Sequence, residues 1–154
     1  MNSPTKTGLP LESTISNNFW IEFYTITPDF SPISVYISQN EKRNEFSLIS
    51  KSKTFSYNQA IQALREANEK SFDDSILLNT SDELCCGSTF NLLIKRNNQW
   101  ITPRKESGCL EGIMVAKALK LKIVKEELIL PEFQADDIIA VSYTHLRAHE
   151  TSLH

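Results

Sequence analysis

The chain has 154 residues, with 40% hydrophobic and 23% charged side chains, which is typical of one globular domain. A net charge of −3 gives no basic surface of the kind that nucleic-acid-binding domains carry. No stretch approaches about 18 uninterrupted apolar residues, so no membrane span is predicted. Three cysteines, Cys85, Cys86 and Cys109, lack metal-binding spacing, and their odd number favours a reduced, cytoplasmic setting over a disulfide framework.

The two ends of the chain differ in composition from its middle. Residues 1–17 are polar and lack the apolar core of a secretory signal, so a flexible N-terminal segment is predicted. Residues 142–154, SYTHLRAHETSLH, hold all three histidines and resemble a translated sequencing adapter. The alternative is a histidine-rich metal site, but no acidic or thiol partner stands at ligand spacing. We expect residues 18–141 to form a partial domain. This range contains no histidine, which excludes a catalytic triad that needs imidazole.

Strand-forming segments occur throughout the chain. Their aromatic, β-branched or continuous apolar sequences predict strands at residues 19–26, 33–38, 75–78, 90–94, 99–102, 121–130 and 137–141. The segments 90–94 and 99–102 are expected to pair as a hairpin around Lys95–Asn98. Residues 39–56 are polar and without period, which indicates a long ordered loop.

Two helices are predicted. The first covers residues 57–69, where an apolar stripe is formed by Ala60, Ile61, Ala63, Leu64 and Ala67. Ser56 and Gln59 have the spacing of a capping box at its start. The second helix begins near Gly112 and presents Ile113, Ala116 and Leu119.

Six short segments carry a resemblance to a known family. They are Arg43-Asn44, KTFSY at 53–57, CGSTFNLL at 86–93, ITP at 101–103, SGCLEGIM at 107–114 and ADD at 135–137. Their order and separations resemble the class IV aminotransferases, the fold-type IV enzymes that use pyridoxal phosphate (PLP). The resemblance implies an α/β fold: a truncated C-terminal cofactor-binding domain with a curved mixed sheet and flanking helices. It covers most of the chain but only about half of the family's length.

The resemblance also implies site residues. Lys53 matches the lysine that bonds to PLP, and burial in a pocket would make its amine nucleophilic. The alternative is that Lys53 is a solvated lysine like Lys51. Gly112, Ile113 and Met114 match the helix start whose free N–H groups hold the cofactor's phosphate, although an ordinary glycine turn is the alternative.

Cys86 departs from the family pattern, because a glutamate is expected there beside the pyridine nitrogen of the cofactor. A neutral thiol is a weak acceptor and would stabilise the protonated nitrogen less. Glu83 could substitute only if the register slipped. The alternative is that Cys85 and Cys86 are small buried strand residues. Val115 is a second departure, because the family commonly has an arginine at this position.

The third and fifth of these segments, CGSTFNLL and SGCLEGIM, are most similar to those of aminodeoxychorismate lyase of folate synthesis. The resemblance therefore implies a lyase with a small amino substrate. A branched-chain or D-amino-acid aminotransferase is the first alternative, and an inactive fragment or pseudoenzyme is the second. The resemblance further implies that the cofactor is PLP, that no metal is bound, and that the full-length parent protein is a homodimer.

Overall fold

The computed structural model describes residues 31–54, 56–143 and 148–151, so the predicted strand at 19–26 and the segment 1–17 lie outside the described residues. Ten elements follow one another: β1 (Val35–Arg43), α1 (Asn58–Glu69), β2 (Asp74–Asn79), β3 (Leu84–Gly87), β4 (Phe90–Arg96), β5 (Gln99–Pro103), α2 (Ile113–Lys120), β6 (Val124–Glu127), β7 (Ile138–Tyr143) and β8 (Ala148–Thr151). The predicted α/β class is confirmed, with two mixed sheets where one was expected. Within the described ranges, neither helix is long and apolar enough to cross a membrane.

The smaller sheet has the order β1-β2-β3. β1 and β2 are parallel, and α1 connects them and packs against both. β3 returns antiparallel to β2. All six residues of β2 are buried, because the alternating side chains of the strand pack against α1 on one face and against the main core on the other.

β1 contains an irregularity that the sequence did not predict. Its pairing with β2 jumps from Ile37 to Lys42, so the residues between them leave the ladder. Glu66 of α1 holds this excursion: its carboxylate accepts hydrogen bonds from Ser38 Oγ at 2.6 Å and from Gln39 N at 3.0 Å. The strand then continues to Arg43, five residues beyond the predicted end at residue 38.

The larger sheet has the order β6-β5-β4-β7-β8. The predicted hairpin is confirmed, with Asn97 and Asn98 in left-handed conformations at its two-residue turn. These positive φ values match a type I′ turn, which asparagine tolerates well. β5 and β6 are parallel and are joined through α2, whereas β4, β7 and β8 pair antiparallel.

The main core lies between the two sheets. Its buried side chains are Val35, Ile76, Leu78, Leu84, Phe90, Leu92, Ile94, Ile101, Ile129, Ile139 and Val141. A backbone hydrogen bond of 2.8 Å from Leu84 N to Ile129 O links the smaller sheet to the segment that follows β6. The position of β3 relative to the larger sheet is thereby fixed, and β3 carries one wall of the site described below.

Two predictions about the helices were wrong in detail. α1 begins after Tyr57 with no side-chain cap, because Gln59 Nε2 instead donates to Lys42 O at 2.7 Å. In α2 the buried residue is Val115, while Ile113 is 80% exposed. The register of α2 therefore differs from the predicted stripe, and Val115 occupies a packed position in which an arginine would be costly.

The predicted boundary at residue 142 does not coincide with a structural boundary. β7 continues to Tyr143, and Ala148–Thr151 pairs with β7 as strand β8, so part of this tail contacts the domain. An edge strand offers unpaired main-chain groups, and a neighbouring strand can pair with them through its backbone almost regardless of its side chains. The foreign origin of residues 142–154 stays a prediction.

Candidate functional site

One cavity of about 280 Å³ opens beside β3 and β4. Its lining residues are Arg43, Lys53, Tyr57, Cys86, Gly87, Ser88, Thr89, Phe90, Asn91 and Leu110. They come from the end of β1, the segment before α1, the β3–β4 connection and the loop before α2. The fold thus brings Lys53 and Cys86, which the sequence analysis singled out separately, to the walls of the same cavity.

A β-bulge in β3 determines where its two cysteines lie. Leu77 pairs with Cys86 but Leu78 pairs with Leu84, so Cys85 is an extra residue in the ladder. Such a bulge disturbs strict alternation, and here both cysteines pack in one cluster with Leu77 and with Ala63 of α1. The alternative interpretation of two small buried strand residues holds for Cys85, whereas Cys86 is buried and also borders the cavity.

The two neighbouring thiols ionise differently. A hydrogen bond from Cys85 and the nearby Arg43 guanidinium outweigh burial and lower the pKa of Cys86 to about 7. The same hydrogen bond, together with burial, raises the pKa of Cys85, which remains the proton donor. Burial raises the pKa of Cys109 to about 11. Cys86, expected to be a neutral thiol, therefore lies where its neighbours favour the thiolate.

Arg43 has an unusual position for an arginine. It ends β1, where its carbonyl accepts a hydrogen bond of 3.0 Å from Thr80 N, and its side chain lines the cavity. Its Nε is buried and has no hydrogen-bond partner among the described residues. A buried guanidinium nitrogen without a partner is costly, so this atom marks a place where an acceptor is missing.

Lys53 lies on the open side of the cavity. Its side chain is exposed, so the expected burial in a low-dielectric pocket is not found. Lys53 also borders a smaller adjoining space of about 60 Å³, together with Arg43, Tyr57 and Leu110. Its ammonium can therefore reach the cavity from solvent, and nothing in the described part of the chain covers it from outside.

The start of α2 approaches the cavity through Asn91. The Asn91 side chain lines the cavity and its Nδ2 donates to Leu110 O at 2.7 Å. Gly112 packs directly on it, because an added Cβ would lie 2.0 Å from Asn91 Oδ1. Ile113 and Met114 do not line the cavity, and their side chains are 80% and 49% exposed. Glycine at 112 thus serves close packing against Asn91, and a cofactor contact of these three residues stays a prediction.

Gly108 serves a similar purpose further from the cavity. It has a φ of 93°, and an added Cβ would lie 2.8 Å from Glu45 Cα. The Glu45 carboxylate accepts hydrogen bonds from Ser81 Oγ at 2.6 Å and from Thr80 Oγ1 at 2.6 Å, which lower its pKa to about 2. Glu45 therefore connects the turn after β1, which follows Arg43, to the turn between β2 and β3.

The acidic candidates of the sequence analysis lie outside the cavity lining. Glu83 is buried and paired with Arg104 at 2.7 Å, so it does not take the place of the missing glutamate. Asp137 of the ADD segment pairs with Arg96 at 2.6 Å, and this partner lowers its pKa. No group of histidine, cysteine and acidic side chains in the described ranges has a metal-binding arrangement.

Several cavity residues were missed by sequence reasoning. Arg43 entered only as part of a motif, because β1 was expected to end before it. Asn91 entered only as part of the segment CGSTFNLL. The hydroxyl of Ser88 donates to Asp74 Oδ1 at 2.5 Å across β2 and β3, and this contact between distant segments leaves no local pattern in the sequence.

Comparison with known families gives a match over most of the chain. The model for amino-transferase class IV matches residues 3–146. Among curated proteins, a Synechocystis protein assigned as a branched-chain-amino-acid aminotransferase is 41% identical over 51 residues, which is 33% of this chain and 17% of that protein.

Solved structures resemble the fold. A Legionella pneumophila protein assigned as a 4-amino-4-deoxychorismate lyase matches with a TM-score of 0.72 and 24% identity, over 83% of this chain and 50% of that one. The branched-chain aminotransferase of Thermoproteus uzoniensis matches with a TM-score of 0.71 and 23% identity, over 80% and 44% of the two chains. A Thermobaculum terrenum branched-chain aminotransferase in its PLP form has a TM-score of 0.71 and 21% identity, over 78% and 42%. The chain thus spans about half the length of these proteins.

Proposed function

Because the chain belongs to the class IV aminotransferase family, whose cofactor is PLP, we propose that its cavity holds PLP and that Lys53 bonds to it. The observation that carries the proposal is the shared cavity of Lys53, Arg43 and Cys86. The lysine supplies an amine, Arg43 supplies a positive charge, and Cys86 supplies a sulfur atom to the same cavity. Lys51, the alternative, does not line the cavity.

The residues present fit an anionic, planar cofactor. The unpartnered Nε of Arg43 offers a donor to an oxygen anion or another acceptor. Gly87 follows Cys86 directly, and Phe90 supplies an apolar surface for a ring. The cavity volume of about 280 Å³ is at the lower limit for a small-molecule site, in keeping with a chain that spans about half of its relatives.

When bound, PLP withdraws electrons from a substrate carbon next to its amine-derived nitrogen. The residues of this chain would then have separate tasks. The Lys53 amine, at the exposed side of the cavity, would take a proton from the substrate carbon and return it as the ammonium. Cys86 would line the buried side of the site, and Asn91 keeps the start of α2 against the cavity through Leu110.

We propose a lyase that acts on aminodeoxychorismate, giving p-aminobenzoate and pyruvate, as the reaction of the full-length enzyme. Its product is aromatic, so the reaction demands less electron withdrawal by the cofactor than transamination does. Such a reaction tolerates a sulfur atom at Cys86 in the place of a carboxylate. The second candidate is branched-chain transamination, supported by the 41% local identity to the Synechocystis protein.

Reduction with borohydride tests the cofactor site. The chain is incubated with PLP, reduced and digested, and the pyridoxyl group is located by mass spectrometry. We expect the label on Lys53, with Lys53→Ala unlabelled and Lys51→Ala labelled as wild type. Label on Lys51 alone, or on no lysine, contradicts the proposal. p-Aminobenzoate fluorescence and transfer from leucine to 2-oxoglutarate then separate the two reactions, with weak turnover expected from this chain alone.

The same proposal includes a small amino substrate, a cytoplasmic location and a homodimeric parent. An apolar surface beside the site supports the dimer: Phe46 and Leu48, in the turns that lead to Lys53, are 84% and 81% exposed. Exposed apolar groups of this size commonly mark an interface. Sedimentation analysis of the parent chain tests the dimer, and a monomer at micromolar concentration would contradict it.

A further inference from the structure

We propose that Cys86 and Cys109 form an oxidation site, at which a hydroperoxide converts the two thiols into a disulfide that ties the loop before α2 to β3. The proposal concerns the sulfur atoms of the chain itself and goes beyond the proposed PLP chemistry. It assigns a reaction to a cluster on which Cys109 packs and whose buried members are Ala63, Leu77, Cys85 and Cys86. All three cysteines are free thiols in the structure.

The fold brings together cysteines from two separate segments. Cys86 lies in β3 and Cys109 lies between β5 and α2, yet Cys109 packs against the cluster that contains Cys86. The backbone around Cys109 is in neither a helix nor a strand, so it can adjust to the separation of about 4.4–6.8 Å between Cα atoms that a disulfide requires. The Cys109 thiol makes a long contact of 3.9 Å with Arg104 O, which is a weak hydrogen bond to give up. Formation of the disulfide therefore needs a movement of the loop and leaves the strands in place.

Access to an oxidant distinguishes Cys86 from Cys85. Cys86 borders the cavity of about 280 Å³, which is open to solvent on the side of Lys53. Cys85 is 1% exposed and is not one of the described residues that line the cavity. The surroundings of Cys86 also lower its pKa, whereas burial and its neighbours raise the pKa of Cys85. Because the thiolate is the reactive form, Cys86 attacks the oxidant and Cys109, which is partly exposed, completes the disulfide.

The reaction takes place in two steps. In the first, the Cys86 sulfur attacks one oxygen of the hydroperoxide, the O–O bond breaks, and the departing oxygen takes the proton that Cys86 released. This leaves a sulfenic acid on Cys86. In the second, the Cys109 sulfur attacks the Cys86 sulfur, the S–S bond forms, the S–O bond breaks, and the hydroxyl group leaves with the Cys109 proton as water. Two thiols are oxidised by two electrons, and the O–O bond of one hydroperoxide is reduced by them.

Peptide mapping of the wild-type chain tests the pair. Hydrogen peroxide is added in small steps to one equivalent, the remaining thiols are blocked with iodoacetamide, and a tryptic digest is compared before and after reduction. Trypsin separates the partners, because Cys86 lies in the peptide 71–95 and Cys109 in the peptide 106–117. We expect these two peptides to be joined with the loss of two hydrogen atoms, and the iodoacetamide label to lie on Cys85.

Three results of this experiment would overturn the proposal. The first is a disulfide within the peptide 71–95 alone, since that peptide contains both Cys85 and Cys86. The second is an iodoacetamide label on Cys86 in the oxidised chain. The third is a disulfide-linked dimer on a non-reducing gel, because the proposed bond lies within one chain. Oxidation in concentrated guanidinium chloride is the control for the fold: a mixture of pairs is expected there, and the same mixture from the folded chain contradicts selection by the structure.

Single variants assign the order of the two steps. Cys86→Ser and Cys109→Ser should not form the joined peptides, whereas Cys85→Ala, the matched control from the same strand, should form them as the wild type does. In Cys109→Ser the sulfenic acid has no partner, so dimedone, which traps sulfenic acids, should label Cys86. Dimedone on Cys85 in that variant, or loss of the joined peptides in a folded Cys85→Ala, overturns the assignment. If a variant does not fold, the label positions in the oxidised wild type still decide the pair.

Discussion

The two walls of the cavity are built in different ways. Cys86 and Phe90 belong to β3 and β4, are buried, and are fixed by ladders of backbone hydrogen bonds. Lys53 belongs to an irregular segment, is exposed, and follows a series of turns rather than a strand. The sheet side of the cavity is therefore held by strand pairing, whereas the lysine side is exposed to solvent among the described residues.

The largest loss of stability is expected from filling the space between the start of α2 and Asn91 of β4. In Gly112→Ala the new Cβ would meet Asn91 Oδ1 at 2.0 Å, so either the helix start or the asparagine must move. Overpacking and the lost hydrogen bond to Leu110 should together lower the free energy of unfolding by about 2–4 kcal/mol. Urea denaturation measures it.

A double variant tells whether the cause is the clash. In the Asn91→Ala background, Gly112→Ala should cost only about 1 kcal/mol or less, because the opposing oxygen is gone. Ile113→Ala, at an exposed position of the same helix, serves as control. Additive costs in the double variant would mean that Gly112 acts through the backbone and not through Asn91.

The next largest effect, on PLP affinity, is expected at Cys86 in β3. Cys86→Glu should raise PLP affinity mainly below pH 7, where Cys86 is protonated and glutamate is still charged. The expected gain there is about five- to thirtyfold, from about 1–2 kcal/mol of charge-assisted hydrogen bonding. It is opposed by about 1–3 kcal/mol of overpacking. Fluorescence titration with PLP at pH 6 and pH 8 measures both. A loss of stability without any gain in affinity would show that Cys86 is a core residue only.

A smaller effect is expected where the turn after β1 is connected to the sheet. Glu45→Gln should lower the free energy of unfolding by about 1–2 kcal/mol at pH 7, because charge-assisted hydrogen bonds become neutral ones. The pKa of Glu45 is lowered from its ordinary value of 4.5 to about 2 in the folded protein, so its contribution is full above about pH 4.5 and is lost as the pH falls through 2. The stability difference between wild type and variant should therefore shrink in acid. A difference that is constant from pH 7 to pH 3 disagrees with this assignment.

The smallest effect is expected from the end of the chain. Deletion of residues 144–154 removes β8 but keeps Ser142 and Tyr143, which pair with β4. Backbone pairing at an exposed edge should contribute about 1 kcal/mol or less, and the melting temperature should fall by only a few degrees. Deletion of 142–154 should cost more. A large loss in the shorter deletion would show that the tail is part of the domain.

Sequence reasoning predicted those features that depend on local pattern. The buried strand around Ile76, the Asn97-Asn98 hairpin and the helix after Lys53 are each visible as a run, a turn or a period. Lys53 and Cys86, from two separate segments of the resemblance, line one cavity, and their contact with a cofactor stays a prediction. Which of them is covered by protein could not be predicted, because exposure depends on what packs from elsewhere.

The missed features depend on contacts between distant segments. The bulge at Cys85 arises from pairing with β2, and the continuation of β1 to Arg43 requires Glu66 to hold the excursion before it. Neither leaves a periodic trace in the sequence. As a result, Arg43 was assigned no position in the site, and its effect on the pKa of Cys86 was not foreseen.

The hydrogen bonds of the Glu66 carboxylate allow the packing of α1 against β1 to be followed by hydrogen exchange. Burial disfavours its charge, but hydrogen bonds from Ser38 Oγ and from the amides of Gln39 and Asn40 prevail and lower its pKa. Those two amide protons point at a helix side chain instead of a neighbouring strand, so their exchange with deuterium requires α1 to separate from β1. Their protection factors at neutral pH would consequently report how often α1 separates from β1, the strand that ends in Arg43.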